Sequence, residues 1–455
     1  MNNSMRTILC LMAFMWLPAA WSADAAIETH EECINEPIFE GKVCTLQANR
    51  DAKIGVILIH GMDGSYEDWQ KTIPALAEEF HVVAFDLPGF GKSDKGSQEY
   101  TPTRYARLAQ FLANHYFQNK PYHVVGHSMG GAVALRFASQ QPQRFQRLIL
   151  IDAAGILHPL VITKFQAGSM LQRKSGVRQT RGFAERLSGK ILEKIEGLPF
   201  SPNDIVNTAL GRDRVLQGGP SYIAALGLAE EDFSYAVASV TAPTLILWGD
   251  NDMVATLRTG KMLAGSMQHA RLEIIKDSGH EAMLEQAKQV NALIRRHLLA
   301  SDDVLTKRYQ QDPPRPALTS QRVGECSGAS GKEFTGDYRT IELRDCSNIT
   351  LRNARVGQLR VLNSQLELID TDILGKEVGL QADNSEITMT NGEISGGIAI
   401  NAVSSRFDLA GVSMIGTQAS FKGISSKLTC SICQVNSPHA KGNLHIFKNM
   451  GSEEL

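Results

Sequence analysis

The chain has 455 residues, of which 43% are hydrophobic and 21% are charged, and its formal net charge is −2 at pH 7. One compact core rarely organises a chain of this length, and the composition is ordinary for folded proteins, so we expect more than one domain. The near-neutral charge, without a basic stripe, argues against nucleic acid as a partner.

The first residues predict an export signal. Arg6 provides a positive start, Ile8 to Leu17 form an apolar stretch, and small residues follow as far as Ala25. That stretch is shorter than the roughly 20 apolar residues that a membrane-spanning helix needs. We therefore expect residues 1–23 to be a signal peptide and the mature protein to be periplasmic or secreted, without a transmembrane segment. An uncleaved anchor is the alternative.

Six of the seven cysteines lie after the signal peptide, and their clustering favours local disulfide bonds. The neighbours in sequence predict three pairs: Cys33–Cys44, Cys326–Cys346 and Cys430–Cys433. The first pair lies in an N-terminal extension, residues 24–50. The last pair has the Cys-x-x-Cys spacing of redox motifs but lacks their βαβ context, so we expect a structural bridge or two free thiols there.

Residues 51–300 alternate short apolar runs with amphipathic stretches. The apolar runs, which predict buried strands, are Ile54–Ile59, Val82–Phe85, His123–Val125, Leu148–Ile151, Thr244–Trp248 and Leu272–Ile275. This alternation is typical of an α/β fold in which helices cover both faces of a doubly wound, mainly parallel sheet. The pattern is interrupted at about residues 155–240, which are polar and helix-prone, and we predict an inserted helical lid there.

Beyond a proline-rich linker, residues 301–320, the sequence repeats itself over residues 321–435. The repeats align on five serines, spaced by 17, 21, 20 and 21 residues: Ser347, Ser364, Ser385, Ser405 and Ser426. A period of this size with alternating apolar and polar residues is typical of a solenoid. We predict an all-β, right-handed parallel β-helix-like domain, followed by a tail of residues 436–455. A β-sandwich is the alternative.

The segment His123–Ala132 joins an apolar run to an Ala-rich helical run through Gly126-His-Ser-Met-Gly130. The G-x-S-x-G pattern predicts a sharp strand-to-helix turn that holds the serine side chain clear of the backbone. Glycines flank the serine because strand and helix come too close there for a Cβ atom. Ser128 is therefore the candidate nucleophile.

A serine hydroxyl needs a base that accepts its proton and an acid that orients the base. Asp250 and Asp252 follow the run Thr244–Trp248, and His280 follows the next apolar run. Functional side chains collect at the carboxyl ends of parallel strands, so we expect these residues near Ser128. The chain order Ser, Asp, His is that of doubly wound hydrolases.

These residues give the chain a resemblance to the α/β-hydrolase family over about residues 51–300. The resemblance rests on five segments: Leu58-Ile-His-Gly61, Phe85-Asp-Leu-Pro-Gly-Phe-Gly-Lys-Ser-Asp94, Gly126-His-Ser-Met-Gly130, Trp248-Gly-Asp-Asn-Asp252 and Ser278-Gly-His280. It implies Asp252 as the acid, with Asp250 as the alternative. It also implies that the backbone N–H groups of Met62 and Met129 form an oxyanion hole. We expect no metal and no cofactor.

The remaining histidines and aspartates of these motifs receive structural interpretations. Histidines beside such glycines commonly position loops, and aspartates in tight turns commonly accept backbone N–H groups. We assign loop positioning to His60 and His127, backbone capping to Asp86 and Asp94, and a surface location to His158 and His297.

A serine nucleophile excludes the relatives of this fold that use aspartate, such as epoxide hydrolases and haloalkane dehalogenases. The resemblance implies acyl transfer to water through an acyl-enzyme, most simply on a small-molecule ester or lipid-like substrate. Carbon–carbon, lactone or amide bonds are alternatives at the same site. A second hypothesis, of a different functional class, assigns the main function to the repeats. They would then be a carbohydrate-binding or adhesive module of the cell envelope, with a glycan or another envelope component as partner.

Overall fold

The structure is a computed structural model, which describes residues 27–97, 99–140, 145–157, 219–309 and 316–455. These residues form an α/β part up to residue 309 and an all-β part from residue 316 onward. The predicted signal peptide, residues 1–23, lies outside the described residues, as do residues 158–218 of the predicted lid.

The α/β part contains one eight-stranded sheet. Its strands are β1 Thr29–Glu36, β2 Gly41–Ala48, β3 Gly55–Ile59, β4 His81–Phe85, β5 Tyr122–His127, β6 Phe145–Ile151, β7 Thr244–Gly249 and β8 Ala270–Ile275. The order across the sheet is β1-β2-β4-β3-β5-β6-β7-β8. The pairs β1–β2 and β2–β4 are antiparallel, and β3 to β8 pair in parallel. The predicted α/β class with a mainly parallel sheet is confirmed.

The described helices cover both faces of this sheet. They are α1 Ile73–Leu76, α2 Pro102–Phe117, α3 Met129–Gln140, α4 Pro220–Ala229, α5 Ser234–Ser239, α6 Leu257–Ser266, α7 Ala282–Glu285, α8 Ala287–Leu298 and α9 Asp302–Arg308. Successive strand residues face opposite sides, so Val124 joins the core beneath α2 and α3, whereas Val125 joins the core beneath α1 and α8. Every residue of β3, β4 and β5 is buried, which explains why apolar residues predominate in these strands, with His81, His123 and His127 as buried exceptions.

The N-terminal hairpin differs from the separate extension that the sequence predicts. β1 and β2 pair with each other, and β2 pairs with β4, so residues 29–48 belong to the same sheet as the rest of the α/β part. Cys33 and Cys44 lie directly opposite each other in the hairpin and form a disulfide bond. β1 is the edge strand and mostly exposed, and its sequence therefore lacks the apolar run that reveals the buried strands.

The C-terminal part is all-β. Its strands are β9 Val323–Ser327, β10 Glu333–Arg344, β11 Ile349–Leu362, β12 Gln365–Ile369, β13 Asp372–Leu374, β14 Val378–Asp383, β15 Glu386–Val403, β16 Arg406–Asn436 and β17 Lys441–Glu454. Strands of successive repeats pair in parallel, and within residues 316–455 only the β16–β17 pair is antiparallel. The predicted tail is thus mostly a strand that covers the last repeat. The all-β class and the parallel pairing are confirmed, and the right-handed helical path stays a prediction.

Four of the five repeated serines form a buried ladder of hydrogen bonds, whereas Ser347 is exposed and bonds Ser330. The backbone N–H of Ser364 donates to Ser385 Oγ, that of Ser385 to Ser405 Oγ, and that of Ser405 to Ser426 Oγ, each at 3.1 Å. Each of these four hydroxyls donates in turn to the carbonyl two residues before it. Only a small side chain that both donates and accepts satisfies the backbone at this buried corner, which explains the serine period.

The remaining cysteines divide into one bridge and one unbridged pair. Cys326 and Cys346 form a disulfide bond, as the sequence predicts. Cys430 and Cys433 are buried free thiols, so the structure agrees with the alternative of two thiols and not with a bridge. A bulge in the β16–β17 pairing separates them, and Ile432 between them has a positive φ of 55°.

A buried histidine predicts acid sensitivity of the α/β part. Both ring nitrogens of His123 lack a hydrogen-bond partner among the described residues, and its ring packs edge-on against Phe80. Burial, and secondarily the charge of Arg147, lowers the pKa of His123 to about 3. The unfolded chain, in which a histidine pKa is roughly 6.5, therefore binds a proton at mildly acid pH that the folded protein excludes.

We expect the His123→Leu variant to be less acid-sensitive than the wild type. The contribution of neutral His123 to the free energy of unfolding is complete above about pH 6.5. It declines as the pH falls from there toward the His123 pKa of about 3 in the folded protein. Urea unfolding at several pH values between 7 and 4 measures this, and the variant should take up about one proton fewer on unfolding. Parallel stability curves for the two proteins would contradict the prediction.

Candidate active site

Ser128 lies on a strained turn between β5 and α3. Its φ is +53°, a left-handed conformation that is uncommon for residues other than glycine. A Cβ atom on Gly126 would lie 2.1 Å from the carbonyl oxygen of Gly130, and one on Gly130 would lie 2.2 Å from that of Ile59. The crowding that the sequence predicts at the flanking glycines is therefore present, and it holds the serine at the carboxyl edge of the sheet.

The structure brings Ser128, His280 and Asp252 into one hydrogen-bonded chain. His280 Nε2 is 2.8 Å from Ser128 Oγ, and His280 Nδ1 is 2.8 Å from Asp252 Oδ2. A carboxylate can only accept, so Nδ1 carries the ring proton and Nε2 is left to accept from the serine hydroxyl. The side chain of Asp252 is fully buried and that of His280 is 18% exposed, so the pair is largely shielded from water.

Asp252 and Asp250 have different partners, which distinguishes the two candidate acids. The second carboxylate oxygen of Asp252 accepts the backbone N–H groups of Val254 and Ala255, at 2.8 and 2.9 Å. Asp250 instead accepts the N–H of Ser278 at 3.4 Å and lies 3.4 Å from the Lys276 ammonium group. The structure therefore places Asp252, and not Asp250, against the imidazole of His280.

Two buried histidines hold the loops around this chain of residues. His127 Nε2 is 2.7 Å from the carbonyl oxygen of His280, and burial lowers the pKa of His127 to about 3. His60 Nδ1 is 2.6 Å from the carbonyl oxygen of Gly61, and His60 Nε2 accepts the N–H of Leu87. Burial lowers the pKa of His60 to about 4, so both rings are neutral near pH 7 and connect backbone segments.

Asp152 is a site residue that the sequence interpretation missed. It is fully buried at the carboxyl end of β6, and its two oxygens accept the backbone N–H groups of Gly249 and Ala282. It thereby connects the strand before Asp252 to the segment after His280. Burial, and secondarily the charge of Asp252, raises the pKa of the Asp152 carboxyl well above its usual range. Asp152 directly follows an apolar run and therefore lies at the same sheet edge as Ser128, and this position could have identified it from the sequence.

The residues predicted to supply the oxyanion hole lie on either side of Ser128. Met129 begins α3, and its N–H is one of the first four of that helix, which have no acceptor within the helix. Met62 follows Gly61, at which a Cβ atom would lie 2.9 Å from Ser128 Cβ. The loop that carries Met62 therefore contacts the serine, and the donor role of the two amides stays a prediction.

The other motif residues have structural partners. Asp86 accepts the N–H groups of Tyr66 and Lys92, each at 2.7 Å, and Asp94 accepts that of Lys42 at 2.9 Å. The predicted surface location of His297 is wrong. Its side chain is buried, because its ring lies 3.2 Å from both the Pro243 carbonyl oxygen and the Tyr309 hydroxyl. His158 lies outside the described residues.

Two further properties of the described residues concern metal binding and membrane crossing. Over the ranges given above, no group of three or more histidine, cysteine, aspartate or glutamate side chains is placed to hold a metal ion. Within the same ranges, no helix combines the length and the apolar character that a membrane crossing requires.

Comparison with known proteins concerns the α/β part. A family model described as alpha/beta hydrolase fold matches residues 55–287. The chain is 26% identical over 259 residues to monoacylglycerol lipase abhd6-B of Xenopus laevis, a match that covers 54% of this chain and 76% of that protein. It is 29% identical to the dihydrolipoyllysine-residue acetyltransferase component of the acetoin cleaving system of Cupriavidus necator, over 53% of this chain and 63% of that protein. Among solved structures, carboxylesterase CesB from Bacillus subtilis is similar with a TM-score of 0.43 and 20% identity, over 61% of this chain and 93% of that one.

Proposed function

We propose, from the premise that this chain belongs to the α/β-hydrolase family, that it is a serine hydrolase of carboxylic esters. The observation that carries this proposal is the chain of two 2.8 Å contacts that joins Ser128 through His280 to Asp252. A serine held in a left-handed turn and hydrogen-bonded to an oriented imidazole is the arrangement that makes a hydroxyl nucleophilic.

In the proposed reaction, Ser128 Oγ attacks the carbonyl carbon of the ester while His280 Nε2 accepts the hydroxyl proton. The Met62 and Met129 amides donate to the oxyanion that forms. Collapse of this intermediate breaks the bond to the alcohol, which leaves with the proton from His280. Water then attacks the acyl-enzyme by the same route and releases the acid. Asp252 holds the imidazole in the required tautomer throughout.

The family and the relatives support the substrate class that we propose. A monoacylglycerol lipase among the similar proteins supports a small-molecule or lipid-like ester as substrate. Carbon–carbon, lactone and amide bonds remain alternatives, because their cleavage uses the same nucleophile and oxyanion donors.

Export to the periplasm or the medium is part of the proposal. The apolar N-terminal stretch and the Cys33–Cys44 and Cys326–Cys346 disulfide bonds support it, because structural disulfides persist in oxidising compartments. N-terminal sequencing of the exported protein tests the predicted signal, residues 1–23. The predicted glycan or envelope partner of the repeats stays a prediction, for which a glycan array with the full chain is the test.

An ester panel of graded acyl length tests the proposed activity. We expect the mature protein to hydrolyse p-nitrophenyl esters with a clear optimum in acyl length, and to act more slowly on the matched anilide and on a lactone. If the protein cleaves the anilide or the lactone faster than every ester, the amide or the lactone, and not the ester, is the bond that this site hydrolyses. A folded protein without activity on any ester would contradict the proposal.

A further inference from the structure

One arginine makes four of the hydrogen bonds that join the all-β part to the α/β part. Arg258, the second residue of α6, directs its guanidinium group across the junction to β15 and β16. Its Nε donates to Thr390 Oγ1 at 2.8 Å, and its two terminal nitrogens donate to the Met389 and Asp408 carbonyl oxygens, at 2.9 and 3.0 Å, and to Asp408 Oδ2 at 2.7 Å. One planar, permanently charged group thus makes four hydrogen bonds to two neighbouring repeats, a geometry that lysine cannot reproduce.

Close packing surrounds this arginine, so the junction is a fitted interface. The side-chain amide of Asn391 donates to the Lys261 carbonyl oxygen at 3.0 Å. A Cβ atom on Gly265 of α6 would lie 2.6 Å from that amide group. Ile432 of β16 is buried in the apolar core of the α/β part, together with Met262 of α6. Contacts of this density fix the position of α6 relative to the repeats.

The segment that carries the proposed acid connects β7 directly to α6. Asp252 follows β7, its carboxylate accepts the N–H groups of Val254 and Ala255, and α6 begins two residues further on. Trp248 of β7 donates its indole N–H to the Ala255 carbonyl oxygen at 2.8 Å. β7 therefore leads into this acid loop, residues 250–256, and also holds Ala255 near the end of the loop through Trp248. The helix that Arg258 attaches to the repeats begins directly after that end.

We propose that the all-β part is a positioning platform for the acid loop, and that Arg258 is the positioning residue that transmits its support to Asp252. The inference rests on the proposed function for the meaning of Asp252, but the contacts themselves do not depend on it. The Asp252 carboxylate orients the His280 imidazole through a single hydrogen bond. A small displacement of a catalytic group from its reactive geometry lowers the reaction rate strongly. The repeats thus support the active site by a contact remote from the bond that is cleaved.

The test compares Arg258→Ala with Arg355→Ala in the full chain. Arg355 is a matched control away from α6, because its side chain is 8% exposed against 22% for Arg258 and it also bonds a carboxylate and a carbonyl oxygen, those of Asp337 and Pro316. We expect Arg258→Ala to lower kcat about tenfold while KM changes by less than about twofold. Arg355→Ala should leave both constants within about twofold of the wild type, and Arg258→Lys should recover part of the loss through its bond to Asp408.

A spectroscopic measurement keeps this test independent of activity. The Nδ1 proton of His280, bonded to Asp252, should give a low-field proton resonance, assigned by its loss in His280→Gln. We expect the resonance to be shifted or broadened in Arg258→Ala and unchanged in Arg355→Ala. If the resonance is the same in these two variants, or is detectable in neither, the proposal that the all-β part positions the acid loop is wrong. If the wild type cleaves no ester, the proposed function is wrong, and the resonance alone then tests whether the all-β part positions the acid loop.

Discussion

The Ser128→Ala variant should lose nearly all ester hydrolysis while it keeps the fold. We expect kcat to fall by roughly 10⁵- to 10⁶-fold, the loss seen when the nucleophile of a serine hydrolase is removed. KM should change little, because the hydroxyl forms a bond in the reaction and contributes little to substrate binding. The left-handed turn is made by the backbone and the flanking glycines, and alanine keeps the same Cβ atom there. Steady-state kinetics with p-nitrophenyl esters measure the loss, and thermal unfolding checks the fold.

Ser139→Ala is the matched control for this substitution. Ser139 lies in the same helix that begins after Ser128, and its hydroxyl donates to the Arg136 carbonyl oxygen at 2.8 Å. We expect this control to keep kcat within about twofold, since it removes a partly buried hydrogen bond within the helix that contributes on the order of 1 kcal/mol to stability. Activity of Ser128→Ala within tenfold of the wild type would show that another residue attacks the substrate.

The Asp252→Asn variant should lose activity for a different reason. Asparagine is nearly isosteric and can still accept the N–H groups of Val254 and Ala255 through its carbonyl oxygen, so the loop is kept. Its amide would then donate toward His280 Nδ1 and favour the tautomer that carries the proton on Nε2. That tautomer cannot accept the proton of Ser128, and the corresponding change in a serine protease lowers kcat about 10⁴-fold.

Asp250→Asn is the control that separates the two candidate acids. In the wild type, Asp250 contacts Ser278, Asn251 and Lys276. The Lys276 side chain is 77% exposed, so its ion pair with Asp250 contributes little to stability. We expect kcat to stay within about threefold of the wild type in this variant. A larger loss in Asp250→Asn than in Asp252→Asn would transfer the acid role to Asp250 and contradict the assignment.

The strands and the candidate site were predictable because they depend on local patterns. Buried parallel strands are rich in apolar residues, and β3, most of β4 and the centre of β5 appear in the sequence as short apolar runs. Side chains just after these strands meet at one edge of the sheet, so Ser128, Asp252 and His280 could be placed together from their positions alone. The serine period revealed the parallel repeats for a similar reason, since Ser364, Ser385 and Ser405 each bond the serine of the next repeat.

The features that sequence could not predict depend on contacts between distant segments. Arg258 reaches partners more than 130 residues away, and nothing around it in sequence distinguishes it from a solvated arginine. His297 is buried by Tyr309 and by the chain before β7, which its own helix pattern does not indicate. Cys430 and Cys433 stay unbridged where the strand bulges, a local geometry that a Cys-x-x-Cys spacing leaves open.

Covalent labelling with a fluorophosphonate tests the central claim most directly. The reagent phosphonylates a serine only when an oriented base has made its hydroxyl nucleophilic. Mass spectrometry of the labelled, digested protein should find one adduct per chain, on Ser128, and none in Ser128→Ala. The folded wild-type protein without an adduct, or with its adduct on another residue, would contradict the claim that Ser128, His280 and Asp252 form the catalytic centre.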